Sequence, residues 1–144
     1  MRYLEKLAVK IGGGENHRMG LYDMIMLKDN HIDFAGGIAP AITKANEYRR
    51  AHKKDLKIEI EARNLAEVKA IINFGDVDRI MLDNFNYNDT REAVKLIGGR
   101  FEIESSGGIT LETIREYALC GVDFISVGAL THQIKSLDMS LKAI

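Results

Sequence analysis

Five short runs rich in β-branched and aliphatic residues recur along the chain, at Met24–Leu27, Leu56–Ile60, Arg79–Leu82, Phe101–Ile103 and Phe124–Val127. Each reads as a buried strand. Segments of helical periodicity lie between them: Leu65, Val68, Ile71 and Ile72, then Ala93, Val94 and Ile97, then Leu111, Ile114 and Ala118. N-cap residue types stand at Asn64, Asn88 and Thr110, and Gly98 and Gly121 close helix ends. A longer helix is predicted over Ile38–Lys53, with Pro40 tolerated in its first turn, and a shorter one over Arg2–Lys10 ahead of Gly12, Gly13 and Gly14. Strand and helix in alternation imply parallel strands joined by right-handed crossovers, an α/β architecture.

Length limits how that pattern can close. A complete (β/α) barrel takes about 250 residues, so five units in 144 residues predict an incomplete (β/α) barrel, one domain over 1–144 with no linker-like stretch. Lys and Arg number 20 against 21 Asp and Glu, a formal charge of -1. That balance gives no global field for a polyanion, so nucleic acid is not the expected partner. The single cysteine, Cys120, precludes an internal disulfide, and no export signal is apparent, which points to a reducing cytoplasm. No stretch approaches the roughly 20 apolar residues that span a bilayer, so no membrane segment is expected.

Chemistry gathers just beyond the runs, at Lys28, Glu61, Asp83, Ser106 and Gly128, separated by 33, 22, 23 and 22 positions. In a parallel sheet or barrel these C-terminal ends share one face, where such folds place ligands. Glu61 and Asp83 follow apolar strands, so their charges need compensation. Either a Mg2+ ion or a developing oxocarbenium charge sits between them, or they pair structurally with Arg63, Arg79 or a helix N-terminus. Lys28 can hold a phosphate or carboxylate as a point charge, or pair with Asp29 or Asp23. His17 and Arg18 follow the glycines in a loop, either folded over a ligand beside Lys28 or simply solvated. Two glycine turns, Ser105-Ser106-Gly107-Gly108 before Thr110 and Gly128 before His132, can offer backbone N–H groups to a phosphate or can be plain tight turns.

Taken together, NHRMGLYDMIMLKDNHI (16–32), IEIEAR (58–63), RIMLDNF (79–85), FEIESSGGIT (101–110) and FISVGALTH (124–132) resemble quinolinate phosphoribosyltransferase, also called nicotinate-nucleotide pyrophosphorylase (carboxylating). The resemblance covers nearly the whole chain. It implies the C-terminal part of a type II phosphoribosyltransferase barrel, in an enzyme that joins quinolinate to 5-phosphoribosyl 1-diphosphate. The products would be CO2, diphosphate and nicotinate mononucleotide for NAD biosynthesis, with Mg2+ as cofactor and a homodimer or larger assembly. By resemblance, His17, Arg18 and Lys28 take the quinolinate carboxylates and part of the diphosphate. Glu61 and Asp83 serve the ribose and the metal, directly or through the diphosphate, and Lys28, Glu61 and Asp83 form the catalytic set. Ser106, Gly107, Gly108, Gly128 and His132 match the cradle for the 5-phosphate.

The family pattern also has an N-terminal domain, a first barrel strand bearing a Thr-Arg-Lys-Thr motif, and an arginine given across the dimer. None of these has a counterpart in these residues, so the chain is expected to be a fragment with little activity alone. Three other readings compete: a phosphoribosyltransferase of the same fold acting on nicotinate or another pyridine without decarboxylation, a non-catalytic phosphate-binding or assembly module, and a barrel enzyme for another sugar phosphate.

Overall fold

A computed structural model describes residues 1–52, 55–133 and 138–143. In chain order the elements are α1 (Arg2–Ile11), β1 (Met24–Leu27), α2 (Asp29–Ala35), α3 (Ile38–Ala51), β2 (Lys57–Ala62), α4 (Leu65–Phe74), β3 (Arg79–Asp83), α5 (Tyr87–Ile97), β4 (Glu102–Ser106), α6 (Ile114–Ala118), β5 (Phe124–Ile125) and α7 (Ala129–His132). They fall into two compact units, His17–Val127 and Met1–Asn16 with Gly128–Ile144. In the smaller unit α1 touches α7.

The larger unit is one open sheet of five parallel strands in the order β1-β2-β3-β4-β5. Every neighbouring pair is consecutive in sequence and joined through helix, as the alternation predicts. Ile58, Ile60 and Ala62 of β2, Ile80 and Leu82 of β3 and Ile103 of β4 all point to the helices and form the core with Val68, Ile71, Ala93 and Ile97. Because strand side chains alternate, the other face carries Lys57, Glu59 and Glu61, then Arg79, Met81 and Asp83, then Glu102, Glu104 and Ser106. The strands are therefore not uniformly apolar: one face is packed and the other is charged. Two of the links preceding a strand use the same device. Asp78 accepts from the Ile58 N–H at 2.7 Å and Asp123 from the Ile103 N–H at 2.8 Å, so each aspartate fixes its strand against the preceding one.

Several boundaries differ from the sequence reading. The second and fourth strands begin one residue later and run further, to Ala62 and Ser106, while β5 stops at Ile125. Helix α2 was not predicted, because it is short and follows Lys28 directly; Gly36 ends it in the left-handed region at φ 91°. Helix α3 ends at Ala51, and the predicted end at Lys53 lies outside the described residues. Asn64 caps α4 as expected, but the cap of α5 is Asn86, whose side chain accepts from the N–H groups of Asn88 and Asp89. Residues Thr110–Thr113 form a turn in which Thr113 Oγ accepts from the Thr110 N–H, so α6 begins only at Ile114. Among the described residues no helix is long and apolar enough to cross a membrane.

The cap assignment is directly testable. Asn86→Ala should cost about 1 kcal/mol of stability in a denaturant melt, while Asn88→Ala, inside the first turn, should cost less than about 0.5 kcal/mol.

Candidate functional site

The C-terminal ends of the strands do gather the predicted charges. Glu61 and Asp83 sit on the charged face, opposite the core residues Ala62 and Leu82. Lys28, immediately after β1, brings its ammonium to 3.8 Å from Glu61 Oε1. Of the structural partners foreseen for the acids, the two arginines go elsewhere, Arg63 to Asp33 and Glu67 and Arg79 to Glu102 and Glu104, whereas the helix N-terminus is used: the Asp29 N–H at the start of α2 donates to Glu61 Oε2 at 3.4 Å. Asp23, the other partner foreseen for Lys28 besides Asp29, accepts the N–H groups of Met19 and Gly20. Burial pushes the Glu61 carboxyl above its ordinary range, and Asp83 adds to this, while Lys28 opposes it. A carboxylate held in this state gains when a cation arrives.

Asn84 joins the third and fourth strand ends. It adopts φ 56°, donates its N–H to Ser106 O at 2.9 Å and donates Nδ2–H to Asp83 Oδ2 at 3.0 Å. Its side chain lies against Gly107, where a Cβ would also come within 2.8 Å of the Asn84 backbone N. Gly107, at φ +100°, is thus fixed as glycine by sterics as well as by backbone conformation. Gly108 has positive φ but open space around it. Gly128 and His132 lie in the smaller unit, where the His132 ring packs over the Gly128 Cα.

Below this rim the charged face holds a network that the sequence reading missed. Glu59 and Glu104 are essentially unexposed, at 0% and 1%. His17 Nε2 lies 2.7 Å from Glu59 Oε2 and 3.7 Å from Glu104 Oε2. Arg79 donates to Glu104 at 2.8 Å and to Glu102 at 3.0 Å, its guanidinium stacked 3.9 Å from the Phe124 ring centroid. Lys57 completes the row on Glu102, and Ser126 donates to Glu104 Oε1. Burial and the neighbouring Glu59 push the Glu104 carboxyl up, whereas Lys57, followed by Arg79, holds Glu102 low. The signal was present in the repeated Glu-Ile-Glu of 59–61 and 102–104, since period-two spacing puts both acids of each strand on one face.

Two donor sets suit a divalent ion by chemistry. Glu61 and Asp83 are hard oxygen ligands of the kind Mg2+ takes. One ligand atom each from His17, Glu59 and Glu104 lies within 4.8 Å of the others.

Comparison with known proteins identifies the family of the fold. The family described as "Quinolinate phosphoribosyl transferase, C-terminal domain" matches residues 1–142. The chain is 47% identical to the chloroplastic nicotinate-nucleotide pyrophosphorylase [carboxylating] of Arabidopsis thaliana, over 99% of this chain and 45% of that protein. It is 45% identical to a probable enzyme of the same name from Bacillus subtilis, over 98% of this chain and 47% of that one. The solved nicotinate-nucleotide pyrophosphorylase of Francisella tularensis superposes with a TM-score of 0.88 at 45% identity, covering 96% of this chain and 48% of that chain. The chain thus spans about half the length of the curated relatives it matches.

Two outcomes are expected. Because the folded state raises the Glu61 pKa, charging Glu61 costs stability above that raised value, and the cost disappears as pH falls toward the ordinary 4.5. Glu61→Gln should therefore raise the melting temperature at neutral pH and lose that advantage in acid, while weakening any cation-dependent ligand. Gly107→Ala should destabilise by about 1–3 kcal/mol through strained backbone, with the clash at Asn84 added; Gly108→Ala should cost about 1 kcal/mol. Melts across pH check the first and denaturant titrations the second.

Proposed function

The chain belongs to the quinolinate phosphoribosyltransferase family, and from that premise we propose that it supplies the C-terminal catalytic part of an enzyme transferring phosphoribose from 5-phosphoribosyl 1-diphosphate to quinolinate. The observation that carries this reading is Lys28, Glu61 and Asp83 on adjoining strand ends, with Lys28 at 3.8 Å from Glu61 and the nearby arginines Arg63 and Arg79 engaged by other acids. As diphosphate departs, positive character develops on the ribose ring, and the fixed carboxylates of Glu61 and Asp83 stabilise it without forming a covalent bond. Lys28 and Arg18 neutralise anionic oxygen; Arg18 can grip a carboxylate as a two-pronged fork. The turn at Ser106, Gly107 and Gly108 offers backbone to the 5-phosphate.

Once the quinolinate ring nitrogen carries ribose, its positive charge accepts the electron pair of the adjacent carbon–carboxylate bond. CO2 leaves, and a proton from solvent takes its place on the ring carbon. The protein's task there is to hold the ring and balance charge. Glu61 and Asp83 are the residues that would hold Mg2+, which when bound supplies positive charge to the leaving diphosphate. We extend the reading to a homodimer or larger assembly in the cytoplasm, acting on small molecules and on neither nucleic acid nor membrane.

Incubating a full-length enzyme that contains these residues with carboxyl-labelled quinolinate, 5-phosphoribosyl 1-diphosphate and Mg2+ should release labelled CO2 in step with nicotinate mononucleotide, whereas residues 1–144 alone should turn over far more slowly. Arg18→Ala should weaken quinolinate by about tenfold or more, the loss of a charge-assisted pair of hydrogen bonds. Turnover of nicotinate in preference to quinolinate, without CO2, would replace this reading by the non-decarboxylating one.

A further inference from the structure

Asn84 has no part in the reaction outlined above, yet it touches two of the groups assigned to it. Asp83, its chain neighbour, is the last residue of β3 and pairs across the ladder with Ser106, the last residue of β4. The Asn84 N–H carries that pairing one bond further, to Ser106 O at 2.9 Å, while its Nδ2–H reaches Asp83 Oδ2 at 3.0 Å. The amide also lies against Gly107, close enough that a Cβ there would have no room. A carboxylate oxygen only accepts, so the amide nitrogen and not its oxygen must face Asp83.

The backbone leaves Asn84 little slack. Phe85 is buried and its C=O accepts from the Tyr117 hydroxyl at 2.9 Å, so Asn84 is held between the end of a ladder and an anchored residue. Its φ of 56° is a conformation that glycine takes freely and that costs other residues, asparagine and aspartate least. Backbone preference alone would favour glycine here. What the position gains from asparagine is therefore the side chain, and an off-preference residue between two ligand-binding groups points to a task for it.

We propose that Asn84 is a positioning residue that ties the Asp83 carboxylate to the Ser106–Gly107 turn, so that the acid serving the reacting ribose carbon and the turn serving the 5-phosphate are held as one unit. The proposal rests on the reading that these residues bind 5-phosphoribosyl 1-diphosphate. That one molecule spans both groups, from the carbon that loses diphosphate to the phosphate at the far end of the sugar. With Oδ2 occupied by Asn84, the Asp83 side chain is fixed and Oδ1 is left for a cation or for developing positive charge. Binding energy gathered at the phosphate then orients the reacting end, instead of being lost to a carboxylate free to swing away.

The test compares two variants in a full-length enzyme that contains these residues. Asn84→Gly removes the amide and relieves the backbone. Asn84→Asp keeps the size and the tolerance for positive φ but exchanges the donor for another acceptor beside Asp83. Both should lower kcat about tenfold or more, with KM for 5-phosphoribosyl 1-diphosphate changed less than about threefold. Asn84→Gly should melt near the temperature of the unaltered enzyme, since relief at positive φ offsets the added freedom of the unfolded chain. Activity and stability then move apart, which a merely structural role would not produce. The rate advantage of 5-phosphoribosyl 1-diphosphate over the same donor lacking its 5-phosphate should also shrink in both variants. Unchanged kcat in either variant, an undiminished advantage from the 5-phosphate, or loss of cooperative melting in both overturns the proposal and leaves the functional reading standing. Failure of the unaltered full-length enzyme to form nicotinate mononucleotide overturns the functional reading and the proposal with it.

Discussion

Two carboxylates with no access to water, Glu59 and Glu104, must be neutralised for this sheet to exist. Each projects from the middle of a strand on the face away from the hydrophobic core, and β3 lies between them with Arg79 as the guanidinium in reach. Removing Arg79 would leave buried charge uncompensated, a loss of several kcal/mol that no gain in the apolar layer replaces. The requirement also fixes register. Glu59 pairs with Arg79 and Arg79 with Glu102 across the ladders, so a one-residue slip in β3 would send Arg79 into the core and Ile80 among the acids.

Polarity on that face makes the rim usable. A face lined by aliphatic side chains would offer an anion only desolvation. This one rises from Lys57 and Glu102 through Arg79, Glu59 and Glu104 to Glu61, Asp83 and Ser106, so that the charges along the face have partners already arranged. The arrangement also leaves the rim less stable than it could be. Glu102, held low by Lys57 and then Arg79, contributes stability at neutral pH that is lost only as pH falls below the ordinary carboxylate range. Glu61 and Glu104 work in the opposite sense, since burial makes their charged forms costly. The structural ion pair lies at the start of the strands, and the strained acids lie along the charged face and at its rim.

How much of this was legible follows from the range of each interaction. Strand existence and order were readable because apolar runs and helical periods are local. The rim residues Lys28, Glu61 and Asp83 were readable because they stand immediately after such runs. Helix α2 was not, since seven residues with a single buried side chain, Ile32, leave little periodic trace. The cap at Asn86 was mistaken for Asn88 because both are good cap residues, and only the backbone distinguishes them. Arg79 was considered as a partner for the wrong acids. Its choice of Glu102 and Glu104 depends on the lateral pairing of β3 with β4, which no single strand encodes.

His17 illustrates the deepest limit of that local reading. In the sequence it is one of two adjacent basic residues after a glycine run, and its company suggests only a cation near Lys28. Its partner Glu59 is 42 positions away and looks, in sequence, like an ordinary polar residue of a half-exposed strand. Once the sheet forms, Glu59 is the most enclosed charge on the charged face and His17 is its one hydrogen-bonded neighbour among the described residues. His17 is therefore tied to the buried network of the sheet through that one hydrogen bond, which no local pattern in the sequence announces.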